Sequence, residues 1–256
     1  DYVSWTFRKA PGFFDVVTFT LSSGTTNERI SHNLGSTPGF IITKKTNTTS
    51  SWACYHRSLG RSKHISLQST NTPTSFTNAW GTSDPTDTDF GMAGGVFGAG
   101  TYVAYVFAHD DQSFGTDSDE EIIECGSYSA TNADGNFVNL GFEPQWVLTK
   151  NTSRAANWTV WDNMRGVNTE SANDRALHPN TNDAEYGAGN LIDFSATGFT
   201  LNSGSDLTNW FTGDTFIYIA IRRPNKPPTD GDDVFKPVAA TNGDQAATTG
   251  FVVDHC

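Results

Sequence analysis

Cysteine, methionine and long apolar runs are all scarce in this chain of 256 residues. The three cysteines, Cys54, Cys125 and Cys256, are too few and too dispersed for a disulfide framework or a zinc site, and buried free thiols are expected instead. No apolar stretch approaches the roughly 18 residues of a membrane-crossing helix, and the opening residues lack the basic-then-apolar order of a secretory signal, so no membrane insertion is expected. Positive charge is short as well. Sixteen Lys and Arg against 28 Asp and Glu leave a formal net charge of -12, a field that repels phosphate backbones and argues against nucleic acid as a partner. Leu, Met, Lys and Glu are thinly used, which argues against a helical bundle.

What is plentiful is Thr, Ser, Asn, 24 Gly and 18 Phe, the material of strands joined by polar turns. An all-β class follows, and the length suits two domains of about a hundred residues.

The chain repeats itself. Leu34-Gly35-Ser36-Thr37-Pro38-Gly39-Phe40-Ile41-Ile42-Thr43-Lys44 returns 106 residues later as Leu140-Gly141-Phe142-Glu143-Pro144-Gln145-Trp146-Val147-Leu148-Thr149-Lys150. The same offset places Asn33 on Asn139, Thr46 on Thr152, Trp52 on Trp158 and Gly60 on Gly166, nine identities over residues 33 to 60. Carried upstream it pairs Val16-Val17 with Ile122-Ile123 and Phe19 with Cys125. It also sets Cys54 on Val160, so both internal thiols occupy apolar positions. Further on, Phe90 answers Phe199, and the nearly continuous apolar run 102–109 resembles 216–223, as strands buried on both faces would.

Residues 2–9 carry the same closing-strand pattern. The expected organisation is therefore an internally duplicated segment of a longer modular protein. Residues 1–11 are the closing strand of a preceding unit or the first strand of unit one; 12–114 and 115–224 are the two units; 225–256 is a Pro- and Asp-rich linker with the start of a further module. Within a unit, Gly35 and Pro38, like Gly141 and Pro144, set the angle at which the next strand enters the core. Alternation puts Trp52, Cys54 and His56 on one face of a strand, and core packing is the default role of Trp52 and Trp158. A helical turn is expected only around 172–177. The predicted architecture is two tandem antiparallel β-sandwiches of the jelly-roll kind, for which a local pseudo-twofold axis is one way to pack.

Catalytic signals are weak. There is neither a nucleophile elbow nor a Cys-His signature, and the repeat sets His32 on Val138, His56 on Asp162 and His109 beside Arg223, so no histidine position recurs. Asp84, Asp87 and Asp89 lie in a Gly/Thr/Pro-rich loop, where acids are commonly solvent-facing turn formers. The acidic run through Asp110, Asp111, Asp117, Asp119, Glu120 and Glu121 lacks calcium-loop spacing and reads as a linker. No cofactor, no metal and no enzymatic activity are expected. Sequons at Asn47, Asn151 and Asn157 carry little weight in Thr-rich loops. Trp80 and Trp210, in or near turns, are the binding candidates, together with Asp87 and Asp89; flat rings can stack on sugar faces or plug the end of a sandwich.

The opening run Tyr2-Val3-Ser4-Trp5-Thr6-Phe7-Arg8-Lys9-Ala10-Pro11, with Phe13-Phe14-Asp15-Val16-Val17-Thr18, His32-Asn33-Leu34-Gly35, Trp52-Ala53-Cys54-Tyr55-His56-Arg57-Ser58-Leu59, Gly141-Phe142-Glu143-Pro144-Gln145-Trp146 and Asp162-Asn163-Met164-Arg165-Gly166, resembles a module of large structural proteins of marine tailed phages, including cyanophages. The resemblance covers residues 1 to about 224. It implies a virion location on a tail fibre or other surface appendage, trimeric assembly with other virion proteins, and no catalytic residues. A host-surface glycan-binding or glycan-degrading module and a capsid fibre or head decoration protein are the alternatives.

Overall fold

A computed structural model describes residues 4–24, 27–109, 114, 120–167, 174–187, 189–202, 204–205 and 207–222. Cys256, the module expected at 225–256, and Asp110, Asp111, Asp117 and Asp119 lie outside them. The described residues form seventeen strands and two short helical turns, Gly94–Phe97 and Asn163–Arg165: the chain is all-β.

The first half holds β1 (Phe14–Leu21), β2 (Glu28–Ser31), β3 (Pro38–Lys45), β4 (Trp52–His56), β5 (Lys63–Ser66), β6 (Thr74–Ser75), β7 (Asp89–Met92) and β8 (Gly100–Ala108). The second holds β9 (Ile123–Ser129), β10 (Asn136–Asn139), β11 (Pro144–Asn151), β12 (Trp158–Asp162), β13 (Arg175–Ala176), β14 (Tyr186–Gly187), β15 (Ile192–Ser195), β16 (Gly198–Leu201) and β17 (Thr215–Arg222). The main sheet of the first half runs β1-β8-β3-β4-β5-β6, and that of the second runs β9-β17-β11-β12. Without β5 and β6 the two orders correspond strand for strand. Even the ladder irregularity recurs, between Pro38 and Phe40 and between Pro144 and Trp146, where a proline without an N–H opens the strand. A smaller sheet accompanies each, β2-β7 in one half and β10-β16-β15 in the other.

The ladders correct the offset upstream of the turn. Phe19 faces Tyr102, and Tyr128 faces Phe216, so Phe19 answers Tyr128 rather than Cys125, and Cys125 answers Val16. Ring geometry agrees: Phe19 stacks on Tyr102 at 5.5 Å and Tyr128 on Phe216 at 5.0 Å, while Phe90 and Phe199 meet them edge-on at 6.1 and 6.2 Å. In the small sheets, Ile30 faces Phe90 and Val138 faces Phe199, so the partner of Val138 is Ile30, not His32.

Because successive side chains alternate between faces, the long apolar stretches 102–108 of β8 and 216–221 of β17 mark strands covered largely on both faces. One face meets its own half, as where Tyr55 packs on Trp80 at 5.7 Å. The other meets the opposite half, as where Phe40 packs on Trp158 at 6.2 Å. One cluster runs from Phe14, Phe40 and Cys54 into Ile123, Cys125, Leu148, Trp158, Val160 and Ile219, a second around Tyr128, Trp161 and Phe199 belongs to the second half alone, and residues 1–223 form one compact unit.

Three further expectations change. Residues 4–9 form no strand; Trp5 and Phe7 lie against Trp146 at 6.5 and 6.1 Å, and Phe7 against Phe107 at 5.4 Å, so these rings complete the shared core. Arg175–Ala176 pairs with Tyr186–Gly187 as strands where a helical turn was expected. Trp158 is 1% exposed and its Nε1–H donates to the Ser66 carbonyl at 3.1 Å, whereas Trp52 is partly exposed with the Lys44 ammonium 5.5 Å from its ring. Core packing therefore accounts for Trp158 and not for Trp52.

Candidate functional site

The most exposed aromatic pair of the second half sits on a loop that buried polar groups hold rigidly. Asn209 is fully buried; its Oδ1 accepts from the Thr131 N–H at 2.6 Å and from Asn136 Nδ2 at 3.0 Å, and its Nδ2 donates to the Ala133 carbonyl at 2.6 Å. Asn is suited to this because one amide both donates and accepts. The next two side chains then have no room inward: Trp210 is 45% exposed and Phe211 38%. Beyond the turn, Asp214 is buried and accepts from Asn151 Nδ2 at 2.9 Å and from Arg154 Nε at 2.7 Å. The guanidinium so anchored lies 4.1 Å from the centre of the Phe211 ring, a cation–π contact that fixes the ring.

Beside this loop are two depressions of about 270 and 400 Å³ that share Ser205. Trp210 and Phe211 line the first; Tyr186, His178, Asp183 and Asn157 line the second. Tyr186 is 45% exposed and its ring lies 6.3 Å from that of His178, whose Nδ1 is 3.0 Å from the Trp158 carbonyl. Asn157 Oδ1 accepts from Asn180 Nδ2 at 2.8 Å, and Asn180 Oδ1 accepts from the Trp158 N–H at 2.9 Å. The two depressions together present exposed rings and hydrogen-bonded polar groups on either side of Ser205.

The other sequence candidates do not gather here. Trp80 is fully buried, packed on Tyr55 and on Phe97 at 5.2 Å, and its Nε1–H donates to the Lys63 carbonyl at 2.9 Å; it plugs the first-half core and offers no face to a ligand. Asp89 is ion-paired with Arg29 and accepts from Thr86 Oγ1 at 2.8 Å, contacts that hold its carboxyl below the usual range and suit a loop clasp. Asp87 is exposed in that loop, and Asp84 lies 3.6 Å from Arg61. Leu34 and Leu140 are buried, and Gly35 and Gly141 take φ of 71° and 75°, as their turn role requires. Asn151 and Asn157, two of the sequon residues, are occupied in the bonds above.

Burial shifts several interior groups toward their neutral forms. His56 is fully buried, and desolvation pushes its pKa down to about 4. Burial also drives the Cys54 and Cys125 thiols well up, away from reactivity. Glu124 is raised by desolvation and accepts from the Tyr218 hydroxyl at 2.5 Å. It borders a cleft of about 480 Å³ with Glu120, Glu121 and Arg222, in which Arg222 pairs with Glu120 at 3.0 Å. Glu120 and Glu121 belong to the acidic run read as a linker, and only the fold brings Arg222, a hundred residues on, against them. Among the described residues no group of His, Cys, Asp and Glu is arranged to hold a metal ion.

A family model described as "Domain of unknown function (DUF7483)" matches residues 4–224, a span that ends where the compact unit ends. Neither the curated proteins nor the solved structures include a match.

Proposed function

The chain belongs to the DUF7483 family, and from that premise we propose that it is a structural segment of a bacteriophage virion appendage, a stiff spacer in a tail fibre that carries binding surfaces rather than a catalyst. The virion part of this reading rests on the motif resemblance described above. The spacer part rests on one observation: the halves are joined through a common core, where Phe40 packs on Trp158, the Trp158 indole donates to Ser66 and His56 donates to the Tyr218 carbonyl. Two domains on a flexible tether would bend between them; a shared core transmits load. Trimeric assembly, as fibres commonly adopt, would present three copies of every surface and amplify weak contacts about a hundredfold.

The test is to purify the encoded phage particle, identify its proteins by mass spectrometry and resolve its appendages by cryo-electron microscopy. The chain is expected in tail-fibre density with threefold symmetry. Density on the capsid would move it to a head fibre, and its absence from particles would overturn the virion assignment. A glycan-contacting role is favoured by the exposed groove of the second half and is argued next.

A further inference from the structure

We infer that the second half carries a binding groove for a neutral oligosaccharide, built on Trp210, Phe211 and Tyr186 with Asn157 and Ser205 as its polar contacts.

The first support is a comparison inside the molecule. The offset of 114 that sets Tyr102 on Phe216 also sets Phe97 on Phe211. In the first half Phe97 is turned against Trp80 at 5.2 Å and His64 at 5.4 Å, so the fold has a way of covering this ring. In the second half the same position is exposed, and so is Trp210 next to it. Phe97 is itself only partly buried and Val96 stands where the second half has Trp210, so the second half differs by setting a second, larger ring beside the first and leaving more apolar surface uncovered than its counterpart does.

The second support is preorganisation. Asn209 anchors the backbone beside Trp210, and the Arg154 guanidinium packs on the Phe211 ring, so Phe211 would lose little freedom when a ligand settles on it. Flat, exposed rings beside amide and hydroxyl groups are suited to pyranose units, whose C–H faces stack while their hydroxyls accept and donate at the edge.

Charge then selects the sugar. The chain carries a net charge of -12, Asp183 lines the groove, and the nearby cation, Arg154, is neutralised by Asp214 at 2.7 Å. An anionic polysaccharide would meet a repulsive field, with no lysine or arginine among the described residues that line the two depressions. A neutral chain pays no such penalty.

The experiment is titration of the full chain with cellohexaose, mannohexaose and a galacto-hexaose, with oligogalacturonate as the anionic comparator, followed by saturation-transfer NMR and tryptophan fluorescence. At least one neutral hexasaccharide is expected to bind, with oligogalacturonate at least about tenfold weaker. Trp210→Ala and Phe211→Ala should each weaken binding about tenfold or more with an unchanged far-UV spectrum, because both side chains are exposed. Tyr186→Ala, across the shared Ser205, should weaken it as well. No binding of any of the three neutral sugars at millimolar concentration, preference for the acidic one, or full binding by the Trp210→Ala/Phe211→Ala double variant would each overturn the assignment.

Discussion

The Nε2–H of His56 donates to the backbone carbonyl of Tyr218 across 3.0 Å, linking β4 of the first half to β17 of the second, while Nδ1 accepts from the Ser58 N–H at 3.1 Å. Both ring nitrogens are thus used by the neutral form. A second proton would have to sit on Nδ1, facing an N–H donor in a fully buried site, and the lowered pKa reflects that burial.

This makes the interface sensitive to acid. The unfolded His56 takes its proton near pH 6.5 and the folded one near 4, so the stability tied to the neutral ring is complete above about 6.5 and is lost as pH falls toward 4. His32 and His64 are also lowered by burial and act in the same direction; Glu124, raised by burial, acts in the opposite one. Urea unfolding at pH 7 and pH 4.5 should show a drop, and His56→Gln, whose amide can still donate to Tyr218, should remove a share on the order of 2 kcal/mol of it. An identical pH dependence in that variant would contradict the role given to His56.

The two repeated tryptophans should differ sharply. Trp158→Ala removes a buried indole and its bond to Ser66 from the shared core and should cost about 3–5 kcal/mol. Trp52→Ala, at a partly exposed position under Lys44, should cost about 1 kcal/mol or less. Equal losses in denaturant melts would contradict the asymmetric packing.

At Gly39 the halves pack without room for a side chain. A Cβ there would stand 2.7 Å from the Cys125 Cβ and Sγ and 2.8 Å from the His109 Cβ. Gly39→Ala should therefore push β3 away from β9 and destabilise the chain by roughly 1–3 kcal/mol, measured by thermal unfolding. A neutral substitution would show that the strands are not in contact at this point.

Thiol chemistry gives an independent check on the shared core. With Cys256 replaced by Ser, the folded chain should leave Cys54 and Cys125 unreactive toward a disulfide reagent at pH 8, and both should react on unfolding in urea. Fast labelling of either thiol in the folded chain would contradict its burial.

The all-β class was legible in the sequence because the Leu-Gly-x-x-Pro turns and the apolar closing strands are local patterns. The offset failed upstream, where the register of β1 and β9 is set by the neighbours β8 and β17 and by loops of unequal length; the ladder, not the sequence, pairs Phe19 with Tyr128. The apolar residues of the interface were visible, but their partners were not. Alternation puts Phe40 and Trp158 on buried faces, and only the tertiary contact shows that they bury each other. The same blindness affected the site. Trp80 and Trp210 both stand near turns rich in Asn and Thr, yet one is enclosed by Tyr55 and Phe97 and the other is held outward by the bonds of Asn209. Tyr186 and Arg154 carried no signal because they reach the groove from strands and loops remote in sequence.

The account's central claim is that the halves form one mechanical body through a common core, and native-state hydrogen exchange tests it most directly. Amides of β8 and β17, the central strands of the two main sheets, should exchange through the same global opening, with opening free energies equal to within about 1 kcal/mol and lowered together by Trp158→Ala. Opening of one half at a free energy lower by several kcal/mol, with the other half still protected, would contradict it.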